Sequence, residues 1–133
     1  MLKALRNVFA RFRAEGHEDI HTPKGVTAKF SLQYRDLTVG ILSLQDGIWR
    51  FSYSPEFREQ NVLQPLVAFP DASRKYESES LWPFFMARIP GISQPEVKKL
   101  IQAEGLDPHS DVDLLRRFGQ SSISNPFVLQ QTG

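Results

Sequence analysis

Residues 37–53 read LTVGILSLQDGIWRFSY, and they contain the clearest structural signal in the chain. Apolar residues alternate with polar or small ones before Asp46-Gly47, and the aromatic residues Trp49, Phe51 and Tyr53 alternate after it. A period of two is typical of β-strands. Because Asp-Gly readily adopts the positive φ angles of a two-residue type I′ turn, the pattern predicts a tight hairpin. The three aromatic side chains share one face, which favours a place in the sheet core.

Two further strands flank this hairpin in the sequence. The residues Ala28, Phe30, Leu32 and Tyr34 alternate with polar or small ones ahead of it. A short apolar run at 127–129 is the candidate for a last strand. The predicted sheet is therefore antiparallel and is formed mostly by the first half of the chain.

Three runs after residue 78 combine a capping serine with apolar residues at helical spacing. The expected N-caps are Ser80, Ser93 and Ser110, and the expected ends are Arg88, Gly105 and Gly119. Acidic residues lie three positions after the second and third caps, as in a capping box. The predicted fold class is α+β, with an antiparallel β-sheet followed by short helices packed on it in a single domain.

Composition excludes several classes of protein. The 133 residues are 41% hydrophobic and 23% charged, which fits one globular domain. A net charge of +1 gives no overall field for nucleic acid or an anionic membrane. The absence of cysteine excludes disulfides, a thiolate nucleophile and cysteine metal sites. No run of apolar residues is long enough to span a bilayer, so we expect a cytoplasmic protein.

Residues 1–25 differ from the rest of the sequence, so we divide the chain into 1–25 and a domain at 26–133. Apolar residues recur every three or four positions among basic ones up to Glu15, which predicts a short basic amphipathic helix, and a polar linker follows. Three interpretations remain open for this helix. It packs on the domain, it docks on a partner or contacts operator DNA, or it lies on a membrane surface or acts in targeting.

Residues 17–21 match the zinc motif H-E-x-x-H, in which His17 and His21 would bind the metal. That chemistry requires a buried helix and a third ligand. Gly16 and Pro23 flank the motif in polar surroundings, and nothing in the sequence places His109 beside it. We therefore predict a solvated linker and no metal site.

The sequence contains no motif for nucleotide chemistry. Neither a P-loop nor G-x-G-x-x-G occurs, and the H-R-D and D-F-G motifs of protein kinases are missing. The chain is thus not expected to be an enzyme or to bind a cofactor. The acidic pairs Asp111/Asp113 and Glu77/Glu79 are interpreted as charges at helix starts, and Lys98-Lys99 as solvated surface.

Residues 81–87, LWPFFMA, are all apolar on a predicted two-turn helix. Such a run points apolar side chains in every direction around the axis. Either the helix lies wholly inside the domain, or part of it contacts another protein.

Four pieces of the sequence, taken in order, resemble the N-terminal subdomain of HipA-type serine/threonine kinase toxins. They are Val39-Gly40 with Leu42, the strand Trp49-x-Phe51-x-Tyr53, Pro83-Phe84-Phe85 leading to Ile89-Pro90-Gly91, and Asp113-Leu114-Leu115 with Gly119. The resemblance covers about residues 27–130. In that family a kinase core carries the nucleotide-binding and catalytic residues after this subdomain. Here the sequence stops where the core would begin, so we expect a stand-alone, HipS-like protein.

The resemblance implies an antitoxin that binds and neutralises a HipA-type kinase toxin lacking this subdomain. Since large rigid side chains dominate interfaces, the expected partner interface consists of Trp82, Phe84, Phe85, Ile89, Pro90, Gly91 and Ile92. Two alternatives remain: a structural or activating subunit of such a kinase, and a DNA-contacting component of a complex with a DNA-binding antitoxin. Direct nucleic-acid contact and membrane binding are not expected.

Overall fold

The computed structural model describes residues 19–133. The predicted basic amphipathic helix and the first two residues of the H-E-x-x-H string lie outside the described residues.

Five strands form one antiparallel sheet in the order β4-β3-β2-β1-β5. They are β1 Ala28–Tyr34, β2 Leu37–Gln45, β3 Ile48–Tyr53, β4 Tyr76–Ser78 and β5 Val128–Gln131. The last strand pairs with β1, so the two ends of the described domain meet on one side of the sheet. Together with the helices, the sheet confirms the predicted α+β fold.

The predicted hairpin is confirmed. Gln45 pairs with Ile48, and the two residues between them, Asp46 and Gly47, have φ angles of 54° and 75°. The turn between β1 and β2 was not predicted, because it places a positive φ of 54° on Arg35. Arginine gives no sequence signal for that conformation.

The aromatic face of β3 is buried, as the alternation predicts. Trp49, Phe51 and Tyr53 are all at most 2% exposed. Gly40, opposite Tyr53 in the register, allows this packing, since a Cβ there would lie 2.6 Å from both Phe51 Cζ and the Ser52 carbonyl oxygen. A glycine is therefore required for the aromatic ring to cross the neighbouring strand.

Four helices are described: α1 Pro55–Glu59, α2 Pro83–Met86, α3 Pro95–Glu104 and α4 Asp111–Phe118. The cap at Ser110 is confirmed, because its side chain accepts a hydrogen bond from the Asp113 amide. The predicted N-caps at Ser80 and Ser93 are wrong. Trp82 and Gln94 occupy those N-cap positions without side-chain bonds, since each directly precedes a proline that starts the helix.

The acidic pair Glu77/Glu79 does not lie at a helix start, so that interpretation is wrong. Glu77 is in β4, where its carboxylate lies 3.4 Å from Nε of Arg50 on β3. Both side chains are largely exposed, so this cross-strand pair contributes little to stability.

The core lies between one face of the sheet and the helices. Its most deeply buried members are Trp49, Phe30, Phe51, Phe69, Phe85, Leu32, Leu42, Leu44, Leu114, Leu115, Val39 and Val112. Among residues 19–133, no helix has the length and apolar character needed to cross a membrane.

Candidate partner-binding surface

The apolar run at 81–87 is partly inside the domain and partly at its surface. Leu81, Phe85 and Ile89 are at most 5% exposed and belong to the core. Trp82 and Phe84 are half-buried. The helix that Pro83 starts is only four residues long, and Phe85 is its buried residue.

The two half-buried side chains belong to a continuous series of ring contacts, which we call the aromatic row. Successive ring centroids in it lie 5.0 to 6.4 Å apart, the range in which aromatic pairs attract. The contacts run in the order Tyr76, Phe69, Phe84, Phe127 and Tyr34, and Trp82 branches from Phe69 as the sixth member. Phe69 and Phe127 form its buried base, and the other four rings are half-buried. Each of these four therefore keeps part of a ring available to another molecule.

A buried tyrosine holds the base of the row at Phe69. The Tyr53 hydroxyl donates to the Phe69 carbonyl at 2.6 Å and accepts from the Leu66 amide at 2.8 Å. Burial raises the pKa of Tyr53 to about 12, so the phenol stays neutral at physiological pH. These bonds fix a loop on which Val67 is 98% exposed.

A buried arginine holds the other base of the row at Phe127. Arg88 is 5% exposed, and its guanidinium donates to the side-chain oxygen of Asn125 and to three backbone carbonyls of residues 119–127. The shortest of these bonds, 2.7 Å, reaches the Phe127 carbonyl. Burial lowers the pKa of Arg88 below its ordinary value, and no described carboxylate pairs with it. The sequence analysis missed this residue, because its partners are 31 to 39 positions away.

Of the remaining predicted interface residues, the structure places Ile92 elsewhere on the surface. Pro90, Gly91 and Ile92 are half-buried, and Ile92 lines a cleft beside α3 together with Ile101. The structure thus brings Trp82 and Phe84 together on Phe69, places Phe85 and Ile89 in the core, and places Ile92 in a different cleft.

Comparison with known proteins places this chain in a family. The family model described as HipA N-terminal domain matches residues 31–123, which is more than half of the chain. The chain belongs to the HipA N-terminal domain family. A solved structure titled "N-terminal domain of HipA toxin" is similar with a TM-score of 0.56 and 17% identity, covering 84% of this chain and 98% of that chain. At that identity the likeness shows the fold alone. A search of curated proteins gave no match.

The match concerns a HipA N-terminal domain and not a kinase catalytic domain. Five of the six residues of the aromatic row lie within the matched range, and Phe127 follows it. In this HipA N-terminal domain, the four half-buried rings come from β1, β4, the N-cap of α2 and α2 itself. This surface presents the faces of four half-buried rings, and Val67 on the neighbouring loop is 98% exposed.

Asp111 of this HipA N-terminal domain is buried, although the sequence analysis interpreted it only as a charge at the start of a helix. Asp111, 1% exposed, accepts hydrogen bonds from Thr22 Oγ1 and from Trp49 Nε1, the latter at 3.1 Å. Its second oxygen is buried without a hydrogen-bond partner. Burial raises the pKa of Asp111 above its ordinary value, although the two donors oppose that shift.

His21 and His109 also lie in contact, which the sequence did not indicate. The His21 amide donates to the His109 carbonyl at 2.9 Å, and their rings stack with centroids 6.5 Å apart. Within residues 19–133, no group of three or more potential ligands could hold a metal ion. The contact is a backbone bridge that joins residues 19–22, which we call the strap, to the start of α4.

Proposed function

We propose that this HipA N-terminal domain protein is an antitoxin that acts by binding. Its partner is a HipA-type serine/threonine kinase toxin that lacks this domain. The protein neutralises this kinase by binding it through the aromatic row. The observation that carries the proposal is that Trp82, at the N-cap of α2, and Phe84, within α2, remain half-buried against the buried ring of Phe69.

Physical chemistry supports a role for this row in binding. Tryptophan and tyrosine are enriched among the residues that dominate interface energies, because a large area is buried at little cost in side-chain entropy. The bonds of Tyr53 and Arg88 hold the two buried bases of the row in place. Association would then need little further ordering of the surface, which favours affinity.

The described titratable groups also favour binding over catalysis. Catalytic groups with shifted pKa values normally face a cleft that admits substrate. Asp111 is sealed beneath Thr22 and Trp49, and the Tyr53 hydroxyl is bonded to backbone groups on both sides. We therefore propose that the protein is not an enzyme, and that it acts in the cytoplasm with its kinase partner.

Coexpression tests the proposal. A HipA-type kinase from the same genome that lacks this domain should arrest growth alone and be tolerated together with this chain. Trp82→Ala and Phe84→Ala should each weaken copurification by about thirtyfold, the effect of about 2 kcal/mol at an interface centre. Leu100→Ala, which shortens a 39% exposed leucine on α3, is the matched control and should copurify normally.

Two results would contradict the proposal. One is growth arrest that persists with the wild-type chain present. The other is unchanged copurification of both aromatic variants while circular dichroism shows them folded. Kinase activity measured with and without the chain separates an antitoxin, which lowers it, from an activating subunit, which raises it.

A further inference from the structure

A hollow of about 390 Å³ lies at the end of the aromatic row that Tyr34 forms. Its walls are the turn between β1 and β2 and the chain that follows α1. The apolar lining comes from Tyr34, Leu37, Val62 and Leu63, and the polar lining comes from Arg35, Asp36 and Gln60. Because Tyr34 belongs both to the row and to the hollow, the two form one continuous surface.

Gln60 holds the wall that follows α1. Its side-chain nitrogen donates to the carbonyls of Phe57 at 3.0 Å and Leu63 at 2.9 Å, and its side-chain oxygen accepts from the Leu63 amide at 2.8 Å. Val62, between these bonded residues, is 90% exposed. The hollow therefore has an apolar rim on a backbone that is already ordered, which lowers the entropic cost of binding a partner there.

Arg35 occupies a backbone position that suits glycine better than arginine. Its φ angle is 54°, in the left-handed region where the Cβ of an L-residue is crowded by the backbone. Among residues 19–133, the other non-glycine residue with a positive φ is Asp46, and aspartate adopts this region more readily than arginine. An arginine that costs stability at its own turn points to a role for its side chain outside the fold.

The Arg35 side chain lies at the rim of the hollow without an anionic partner. Its Cζ is 5.3 Å from the centroid of the half-buried Tyr34 ring, a cation–π contact that orients the guanidinium. The ion pairs within residues 19–133 do not include Arg35, so the neighbouring Asp36 is not paired with it. The surface thus combines an apolar hollow with an exposed cation, whose planar fork of N–H donors matches a carboxylate.

We propose that this surface binds an acidic and apolar segment of the kinase partner. A carboxylate of that segment bonds to the Arg35 guanidinium, and an aliphatic side chain enters the hollow between Leu37 and Leu63. Arginine and carboxylate form parallel charge-assisted hydrogen bonds, which fix orientation as well as adding affinity. The inference rests on the proposed function, since it names the chemistry of the partner at the Tyr34 end of the aromatic row.

Arg35→Gly separates binding from folding, because glycine adopts a positive φ freely and carries no guanidinium. Isothermal titration calorimetry with the kinase should show binding about tenfold weaker than that of the wild type, as expected for a lost hydrogen bond to a charged group. The urea midpoint of the variant should equal or exceed that of the wild type. Lys24→Gly is the matched control and should bind normally. It removes the same charge at the opposite end of β2, where Lys24 lies beside Gly47.

Two further measurements test the chemistry assigned to the partner. Val62→Ser should weaken kinase binding about fivefold at an unchanged urea midpoint, because it removes an exposed apolar side chain from the rim of the hollow. Leu100→Ala, the control for the aromatic variants, should again bind normally. Raising the salt concentration should weaken binding of the wild type more than that of Arg35→Gly, since salt screens an exposed ion pair.

The outcomes distinguish this inference from the antitoxin proposal. Normal affinity of Arg35→Gly, together with weakened binding of Trp82→Ala, would overturn the inference and leave the antitoxin proposal standing. A lowered urea midpoint in Arg35→Gly would also overturn it, because the arginine would then serve the fold. If Arg35→Gly lost binding to a random DNA duplex and kept its affinity for the kinase, the cation would contact phosphate and the inference would be wrong. A wild-type chain that does not bind the kinase would contradict both proposals.

Discussion

Replacing Arg88 by methionine should destabilise the domain by about 3 kcal/mol. The guanidinium satisfies the buried carbonyls of Gly119 and Phe127, and a buried carbonyl left unpaired costs about 1–3 kcal/mol. The two losses together are about 2–6 kcal/mol. They are partly offset because the variant no longer buries a charge without a carboxylate partner.

Urea denaturation followed by tryptophan fluorescence measures this loss. With a slope of about 1–3 kcal/mol per molar urea, the midpoint should fall by about 1–3 M. Arg88→Lys should be destabilised nearly as much as Arg88→Met. A single ammonium group cannot donate at the same time to the acceptors that Nη1 and Nη2 of the planar guanidinium reach. Arg58→Met, an exposed position, is the control and should change little. A loss below about 1 kcal/mol in Arg88→Met, or an equal loss in the control, would refute this account of the buried cation.

Two further predictions concern the other buried polar groups. Burial raises the pKa of Asp111 in the folded protein, so the folded state favours the protonated carboxyl. The stability that this form contributes is fully present below the pKa of the unfolded state, and it is lost as pH rises through the pKa of the folded state. Asp111→Asn should therefore become more stable relative to wild type as pH rises from about 4 to neutral, and parallel urea stability profiles would contradict this. Tyr53→Phe should cost about 1–3 kcal/mol, because it leaves the Leu66 amide and Phe69 carbonyl without their partner. An unchanged urea midpoint would show that these bonds contribute nothing.

Local signals in the sequence were sufficient for four of the five strands, and the short strand β4 was missed. Asp46-Gly47 determines its own turn geometry, and alternation places Trp49, Phe51 and Tyr53 on one face without reference to distant residues. The same locality explains the confirmed cap at Ser110. At Ser80 and Ser93 a different local rule applied, because proline at the first helical position fixed where each helix begins.

The surface could be predicted only in part. The run at 81–87 indicated an apolar helix, but the helix is only Pro83–Met86 and not the two turns expected up to Arg88. The division of the run into core and surface depends on Phe69 and Phe127, which come from other segments. Asp111 does lie in the first turn of α4, as the sequence indicated, but its burial and that of Arg88 were missed for the same reason. A buried charge is identified by its partners, and the Trp49 indole that donates to Asp111 is 62 positions away.

The strap has a consequence for the order of folding. Thr22 and Asp111 are 89 positions apart, so their hydrogen bond closes a very long loop. The bond can form only after β3, which carries Trp49, and α4, which carries Asp111, are both in place. Residues 19–22 should therefore attach late as the chain folds. They should also detach early, at a lower free energy than global unfolding, when the native protein opens locally.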